Sequence, residues 1–289
     1  MPSNNLLEKI KELREVTGVG FKDCKIAIDE THGDIEKSIE FLRKKGIAKA
    51  TKRMARVAAE GLVCISEKDN KFSMVEVNSE TDFVAKNNEF IKFVEEISKI
   101  SINKSGTIEE VLSSMMINKK TVKDSLVELI SKIGEKITIR RISYFGDNKC
   151  INFSYTHSSL KENVGKLGVL ISLETNKPKN EVFELGKQLA MHVAASTPLS
   201  LDKNDLSQKI QDKEREIILE ELKNNNKDPK ILDKIAAGKL NKFISDNTLL
   251  NQEWVFDPKK KVKDIIKEAS ANDKIIIKKF VRYKVGEGL

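Results

Sequence analysis

The sequence has little of the chemistry that most catalytic and metal-binding proteins require. Its 289 residues include one tryptophan, three histidines and three cysteines, and aromatic residues make up only 6%. The cysteines, Cys24, Cys64 and Cys150, lie far apart and form no CxxC pair, which argues against a zinc site and against a disulfide framework. This cysteine usage is typical of a protein kept in a reducing cytoplasm.

Motifs for nucleotide and nucleophile chemistry are also missing. The sequence contains no GxxxxGK[ST], GxGxxG or GxSxG element, so it predicts no phosphate loop, dinucleotide site or nucleophile elbow. The histidines, His32, His157 and His192, do not have the spacing of metal ligands. We therefore expect no catalytic residue, no metal and no cofactor, and interpret the chain as a protein that acts by binding rather than as an enzyme.

Long apolar runs are absent, and charge of one sign does not dominate. No stretch reaches the ~18 apolar residues of a membrane span, so we expect a cytoplasmic protein without a membrane partner. Charged residues make up 33% and the net charge is +8. This balance favours acidic partners, but both signs are interspersed and few aromatic side chains are present to stack on bases. No specific nucleic-acid partner is expected.

The first 46 residues predict a compact module of three short helices. Apolar residues recur at helical spacing in three successive stretches, which contain Leu6, Leu7, Ile10 and Leu13, then Phe21, Cys24 and Ile28, then Ile35, Ile39 and Leu42. A turn at residues 17–20 separates the first two helices. Two lysines followed by Gly46 are typical of a helix C-terminus, so we expect the third helix to close there.

A basic segment follows the module. Residues 43–56 contain seven basic residues and no acidic one, and we predict a linker over residues 47–59. This segment is either a solvated tether or a strip that meets an acidic surface or RNA phosphate, and the sequence leaves both interpretations open.

The pattern changes to a period of two after Glu60. Residues 61–66 and 72–77 predict two strands joined by a hairpin, and the second strand leads through an exposed turn into a helix. The same order recurs around residues 168–191, so we interpret it as an internal repeat. The repeat predicts an α+β core of two subdomains, residues 60–140 and 141–289. Further strands around residues 137–145, 150–155 and 275–285 are assigned to the second subdomain.

A helical pattern returns between Leu206 and Phe243. Its two segments are separated by residues 224–229, and their expected apolar faces contain Ile210, Ile217 and Leu219 or Leu222 in the first and Ile231, Ile235, Leu240 and Phe243 in the second. We predict a helical hairpin inserted over residues 204–246. It either mediates self-association or stands as a solvated arm.

The turn from Thr81 to Val84 is the most informative element. Asp82 and Phe83 place an acid beside a large apolar side chain at the tip. In one interpretation Asp82 caps the following turn and Phe83 folds back into the core. In the other, the two side chains form a wedge that inserts into a partner.

Two segments give the sequence a resemblance to a known family. Residues 13–25, LREVTGVGFKDCK, and residues 76–86, EVNSETDFVAK, resemble the signatures of bacterial elongation factor Ts. Shorter similarities lie at residues 132–141, 191–196 and 285–288, so the resemblance covers nearly the whole chain. Many members continue into a C-terminal helix that contacts their partner, whereas this sequence stops at Leu289; truncation and natural absence both remain open.

The resemblance implies a fold, a partner and contact residues. The three-helix module would be the ubiquitin-associated-like (UBA-like) domain that docks on the GTPase domain of elongation factor Tu, and the hairpin would be the coiled-coil insertion. The implied docking residues are Arg14, Val19, Gly20 and Phe21, with His192 as a further partner contact. The second subdomain would touch the partner's third domain.

The implied function is guanine nucleotide exchange in translation elongation. The chain would bind elongation factor Tu in its GDP-bound and nucleotide-free states, displace the partner's magnesium with Thr81, Asp82, Phe83 and Val84, and promote GDP release so that GTP can bind. The alternative is a basic RNA-associated protein without exchange activity. The net charge and residues 43–56 support that alternative, whereas the scarcity of aromatic residues opposes it.

Overall fold

The computed structural model describes residues 3–17, 19–53, 55–104, 107–223, 229–271 and 273–289. Gly18 of the predicted turn and residues 224–228 of the predicted hairpin loop lie outside the described residues. No helix in the described ranges combines the length and hydropathy that crossing a membrane requires.

The described chain is an α+β fold in which helices alternate with antiparallel strands. The elements in chain order are α1 Ser3–Thr17, α2 Phe21–Glu30, α3 Ile35–Arg53, β1 Glu60–Lys68, β2 Lys71–Ser79, α4 Asp82–Ala85, α5 Asn88–Ser101, α6 Ile108–Ser113, α7 Val122–Ile133, β3 Ile137–Phe145, β4 Cys150–Lys161, β5 Val164–Glu174, α8 Lys179–Ser196, α9 Gln208–Leu222, α10 Pro229–Asn247, β6 Glu253–Trp254, β7 Asp257–Lys261, α11 Val262–Ser270 and β8 Ile276–Lys284.

Helices α1, α2 and α3 form the predicted three-helix module. Their shared core consists of Ile10, Leu13, Cys24, Ala27, Ile28 and Leu42. Phe21 does not lie on the buried face with Cys24, because it begins α2 and leaves 46% of its surface exposed. The periodicity therefore predicted the helices correctly and the environment of Phe21 incorrectly.

Helix α3 does not close at Gly46, as the sequence predicted, but continues to Arg53. Gly46 faces α7, where an added Cβ would lie 3.0 Å from the Ser131 hydroxyl oxygen. The glycine thus allows the two helices to approach closely instead of ending α3. The Arg53 guanidinium then donates a hydrogen bond of 2.9 Å to the Ile130 carbonyl oxygen. Any linker therefore begins after Arg53.

Several cations of the basic segment face carboxylates of this same chain. Arg43 lies 3.5 Å from Asp124, Lys45 lies 3.4 Å from Asp23, and Arg56 lies 3.2 Å from Glu80. The pair of Arg43 with Asp124 joins α3 to α7 of the core, and the pair of Arg56 with Glu80 holds the segment after α3 against the core, whereas the pair of Lys45 with Asp23 lies within the module. A fully solvated tether would not form such contacts.

The first unit of the core is the antiparallel sheet β3-β2-β1 with α5 on one face. Strands β1 and β2 are joined by a two-residue turn, Asp69 and Asn70, whose φ angles are 50° and 60°. Positive φ at both positions is typical of a type I′ hairpin. Residues 137–145 were assigned to the second subdomain, which is wrong: β3 pairs with β2 over its length.

The second unit repeats this order with the sheet β4-β5-β8. A two-residue turn at Glu162 and Asn163 joins β4 to β5, α8 follows, and the third strand returns beside the second. In both units the middle strand of the sheet is the second strand of the hairpin. The strand order therefore supports the internal repeat interpreted from the sequence.

The two three-stranded sheets face each other across an apolar core and are continuous at one edge, so all six strands belong to one hydrogen-bonded sheet in the order β3-β2-β1-β5-β4, with β8 beside β5. Residues Val63 and Cys64 of β1 pair with residues 164–165 of β5. Alternate residues of the strands turn away from the helices and form a core between the sheets, made of Val63, Ile65, Phe72, Met74, Phe145, Leu170 and Tyr283. An added Cβ on Gly168 would lie 2.7 Å from the Met74 sulfur, so the close packing of β5 on β2 leaves no room for a side chain at this glycine.

Helices α9 and α10 form the predicted hairpin within the second unit. The buried residues of α9 are Ile218 and Leu222, four positions apart. Ile210 and Ile217 were expected on the packed face together with Leu219 or Leu222. Leu222 is buried, whereas Ile210, Ile217 and Leu219 remain exposed, and so does Ile231 of α10, which was also expected on a packed face. The prediction of the helices is therefore confirmed, and the predicted face of the first helix is corrected.

A buried carboxylate ties the second unit to the first. Glu76 of β2 is fully buried, and its oxygens accept hydrogen bonds from Arg140 at 3.0 Å and Arg141 at 2.5 Å. Strand β3 bulges opposite Glu76, because Glu76 pairs with Arg141 and the next residue of β2 already pairs with Ile139. The bulge lets two consecutive arginines reach one carboxylate, which regular alternation would prevent. The backbone N–H of Gly286 is a third donor, at 3.0 Å.

We predict that Glu76→Gln destabilises the fold by about 3–5 kcal/mol, because it leaves two arginines beside a neutral side chain in a buried site. Urea unfolding followed by circular dichroism measures the effect. Glu268→Gln is the matched control, since Glu268 forms an exposed pair with Lys260 and should change stability little. Equal midpoints for both variants would contradict the central role of Glu76.

Candidate functional site

Metal binding and nucleophilic chemistry require particular arrangements of the acidic, histidine and cysteine side chains among the described residues. In the described part of the chain, no group of three or more His, Cys, Asp or Glu residues is arranged to hold a metal ion. All three cysteines are buried, and burial raises the pKa of the Cys64 thiol to about 11. A thiol with such a pKa is a poor nucleophile at neutral pH.

The turn between β2 and α5 forms an exposed tip. Phe83 leaves 79% of its surface exposed, whereas its neighbours Val84 and Ala85 are buried against the first unit. The interpretation in which Phe83 folds back into the core is therefore wrong. Of the four predicted wedge residues, Asp82 and Phe83 reach the surface, and Val84 anchors them from below.

Hydrogen bonds hold the chain on the N-terminal side of the tip. Both carboxylate oxygens of Glu135 accept hydrogen bonds from Thr81, one from its backbone N–H at 3.0 Å and one from its hydroxyl at 2.8 Å. The preceding residue, Glu80, accepts a bond of 2.6 Å from the backbone N–H of Lys136. Residues of the loop after α7 thus form hydrogen bonds with both residues that precede α4.

The Asp82 carboxylate is paired with Lys86 one turn later. Their charged atoms lie 2.8 Å apart. The hydrogen bond from Lys86 is the main cause of a lowered pKa for Asp82, and the same bond raises the pKa of Lys86. Both groups therefore stay charged at neutral pH. Asp82 accepts from Lys86 and does not cap α4 with its side chain.

The predicted docking residues lie at the junction of α1 and α2. Arg14 and Phe21 are exposed, whereas Val19 is half-buried against the module core. Gly20 precedes α2 with φ −61°, and an added Cβ would meet no atom within 4 Å. Neither the backbone angle nor the space around residue 20 within this chain therefore requires a glycine there.

A groove that the sequence did not reveal adjoins this surface. It lies between the module and helices α5 and α7, with a volume of about 660 Å³. Its apolar lining includes Val16, Val19, Ile39, Phe93, Met116 and Leu129. The sequence analysis made no prediction for Met116 or Leu129, and the lining comes together only because α3 docks on α7.

His192 is not available for a direct partner contact, contrary to the prediction. The side chain is fully buried in the second unit and stacks on Trp254, with ring centroids 5.1 Å apart. Its Nδ1 lies 3.3 Å from the backbone N–H of Val255, which donates to it, and its Nε2 lies 3.0 Å from the Gln252 side-chain oxygen. This pattern assigns the proton of a neutral ring to Nε2. His192 organises the packing of the second unit.

An exposed aromatic tip on a rigid core, beside a groove at a docked helical module, is typical of a protein that acts by contact with a macromolecular partner. The comparisons with known proteins define the family. The family model described as Elongation factor TS matches residues 80–287. Elongation factor Ts of Methylorubrum extorquens (strain PA1) is 43% identical over 283 residues, which cover 97% of this chain and 92% of that protein.

Two further relatives give the same result. Elongation factor Ts of Methylobacterium nodulans is 44% identical, with coverage of 97% of this chain and 92% of that protein. Elongation factor Ts of Rickettsia felis is 41% identical, with coverage of 97% and 91%. The chain belongs to the elongation factor Ts family. This confirms the resemblance and the function expected from it: the chain is a nucleotide exchange factor for elongation factor Tu in translation elongation.

The buried histidine predicts a pH dependence of stability. Burial is the main cause of a His192 pKa below the ordinary value of 6.5, and the bond to Gln252 opposes it in part. The unfolded chain therefore binds a proton before the folded chain does, so stability is complete above about pH 6.5 and falls as the pH is lowered towards the folded-state pKa. His192→Asn keeps an acceptor for the Val255 N–H and removes this titration.

We expect the variant to lose less unfolding free energy than the wild type between about pH 7.5 and pH 5.5. Urea unfolding followed by the fluorescence of Trp254, the single tryptophan, measures both slopes. Identical slopes would show that His192 does not titrate differently in the folded and unfolded states.

Proposed function

We propose that the chain accelerates GDP release by pressing the Asp82–Phe83 tip against the nucleotide site of elongation factor Tu. The observation that carries this proposal is the 79% exposure of Phe83 beside buried Val84. An aromatic ring held in water by an anchored backbone loses no core contact when it inserts into a partner. Its burial there would instead remove apolar surface from water.

The proposed effect on the nucleotide is electrostatic and steric. Magnesium in the partner bridges phosphate oxygens of the nucleotide and protein oxygens, so shifting the groups around it weakens nucleotide binding. The Phe83 ring would displace those groups, while the ionised Asp82 would bring a negative charge to the magnesium side. Thr81 would fix the entry of the tip and Val84 its base, and no covalent bond would form or break.

Thermodynamic linkage sets the size of the effect. If binding of the exchange protein weakens the affinity of elongation factor Tu for its nucleotide by a given ratio, the bound nucleotide weakens the affinity of elongation factor Tu for the exchange protein by the same ratio. A thousandfold change corresponds to about 4 kcal/mol of coupling free energy. The complex containing all three components is therefore short-lived, and either GDP or GTP can end it.

The three-helix module would provide affinity rather than exchange. We assign docking on the partner's GTPase domain to Arg14, Val19, Gly20 and Phe21, which lie around the α1–α2 junction. The half-exposed Phe21 ring supports this role, since aromatic and arginine side chains dominate the energetics of protein interfaces.

Other parts of the proposal follow from family membership. The module would be UBA-like, α9 and α10 would be the coiled-coil insertion, and the second unit would contact the partner's third domain. The chain would act in the cytoplasm on GDP-bound and nucleotide-free elongation factor Tu. Exposed Ile217 and Leu219 on α9 support self-association through the hairpin as a secondary property.

Phe83→Ala and Asp82→Ala should slow exchange without unfolding the chain. We expect the saturating rate of GDP release to fall at least about tenfold for Phe83→Ala, which corresponds to about 1.4 kcal/mol. The measurement is the release of a fluorescent GDP analogue from elongation factor Tu with magnesium present.

Ile117→Ala is the matched control, because Ile117 is an exposed apolar residue between α6 and α7 of the first unit, outside the surfaces assigned to the partner. It should exchange GDP at the wild-type rate. Wild-type exchange by a folded Phe83→Ala variant would contradict the wedge.

Phe21→Ala should change a different kinetic parameter. A docking residue contributes the same interaction before and during GDP release, so its loss should raise the half-saturating concentration about tenfold and leave the saturating rate unchanged. Leu7→Ala on α1, also exposed, serves as the control. An unchanged half-saturating concentration for Phe21→Ala would remove this residue from the docking surface.

A further inference from the structure

The Asp82–Phe83 tip depends on a residue that lies more than fifty positions later in the chain. Glu135 follows Gly134, which ends α7 in the left-handed region with φ 90°. That turn directs the Glu135 side chain to Thr81, where its two oxygens accept the backbone N–H and the hydroxyl. Hydrogen bonds to a carboxylate are stronger than those between neutral groups.

These two bonds fix the direction in which α4 leaves the sheet. Thr81 occupies the N-cap position of α4 in an extended conformation, but its hydroxyl does not cap the helix and donates to Glu135 instead. Its carbonyl oxygen accepts a bond of 2.9 Å from the Ser79 hydroxyl. Thr81 is therefore held from both sides, and α4 has only four residues to orient Phe83.

We propose that Glu135 is a positioning residue for nucleotide exchange, a role that rests on the proposed function of the tip. Glu135 does not belong to the tip and would act only through Thr81. By holding the backbone before α4, it restricts the orientations of the Phe83 ring before the partner is met. A ring ordered in advance loses less conformational freedom on insertion.

The arrangement around Glu135 supports positioning rather than simple packing. Lys136 donates its backbone N–H to Glu80, so the two loops exchange bonds reciprocally. The Lys136 ammonium also donates to the Arg56 carbonyl oxygen at 2.7 Å, and Arg56 in turn pairs with Glu80. These additional bonds should keep the two loops together when Glu135 is replaced. The hydrogen bonds that Glu135 itself accepts both come from Thr81.

The first test is the exchange assay with Glu135→Ala in the full chain. We expect the saturating rate of GDP release to fall about tenfold, because a displaced tip would insert less often in the productive orientation. The half-saturating concentration should stay within about twofold of wild type. Glu135→Gln keeps one acceptor oxygen and should restore part of the lost rate.

A double-mutant cycle separates positioning from an independent contribution. If Glu135 acts through the tip, Glu135→Ala should have little further effect, less than about twofold, in a Phe83→Ala background. Multiplicative effects of the two substitutions would overturn the proposal. Should Glu135→Ala fail to fold, the same cycle is decided with Glu135→Gln.

Hydrogen exchange of the Thr81 backbone amide provides a readout that does not depend on activity. We expect faster exchange at this amide in Glu135→Ala, with the protection of the β1 and β2 amides retained. Glu67→Ala is the matched control, since Glu67 lies at the other end of β1 and pairs with Lys179. An unchanged Thr81 amide would overturn the proposal.

The outcomes distinguish the inference from the function on which it rests. A wild-type rate for Phe83→Ala would remove the wedge and, with it, the role of Glu135. A slow Phe83→Ala combined with a wild-type rate for Glu135→Ala would leave the wedge intact and overturn only the positioning role.

Discussion

The burial of the Glu76 carboxylate between the two sheets is the constraint on which the arrangement of the core depends. An unpaired buried charge would be costly, so Arg140, Arg141 and the Gly286 N–H must all be present at one point. The same arginines reach the end of β8: Arg140 donates to the Glu287 carbonyl oxygen at 2.5 Å and Arg141 to that of Lys284 at 3.2 Å. The Arg141 guanidinium also lies over the Tyr283 ring, 4.1 Å from its centroid. One carboxylate thus fixes the register of β3 and the position of the chain end relative to the first unit.

A core fixed in this way can present small exposed elements with defined geometry. The tip contains two exposed residues on a four-residue helix, which could not hold an orientation alone. Buried Val84 below and Glu135 beside it transfer the rigidity of the first unit to Phe83. The three-helix module gains its position similarly, through the contact of Gly46 with Ser131 and the bond from Arg53 to Ile130. In the proposed function, affinity and exchange belong to different elements of one scaffold.

The sequence predicted the helices and strands better than it predicted which of them pack against one another. Periods of 3.6 and 2 located the module, the hairpins and the repeat, because these patterns depend only on which face of an element is buried. The end of α3 was predicted wrongly, since a glycine after two lysines is typical of a helix terminus and its contact with Ser131 depends on another helix. The pairing of β3 with β2 was also predicted wrongly, because the local sequence of a strand does not show which other strand it pairs with. The sequence offered two interpretations of Phe83, and nothing in the local pattern distinguishes an aromatic residue that folds inward from one that stays in water. The burial of His192 depends on Gln252 and Trp254, sixty or so residues later, which no spacing rule connects to it.

The hydrogen bond between Glu76 and Gly286 joins residues 210 positions apart. This separation affects how the chain folds while the ribosome synthesises it. At about 5–20 residues per second, Gly286 is added about 10–40 s after Glu76. During that interval β1, β2 and β3 can already pair, since all three precede residue 146. Strands β4 and β5 can cover part of the face that carries Phe72 and Met74 once residue 174 has been added, but Tyr283 of β8 is still missing from the core between the sheets. The nascent first unit therefore carries an apolar face that is only partly covered and a Glu76 carboxylate that lacks the Gly286 N–H as a donor. A factor that serves protein synthesis thus completes its own core only after the ribosome has added β8 and Gly286.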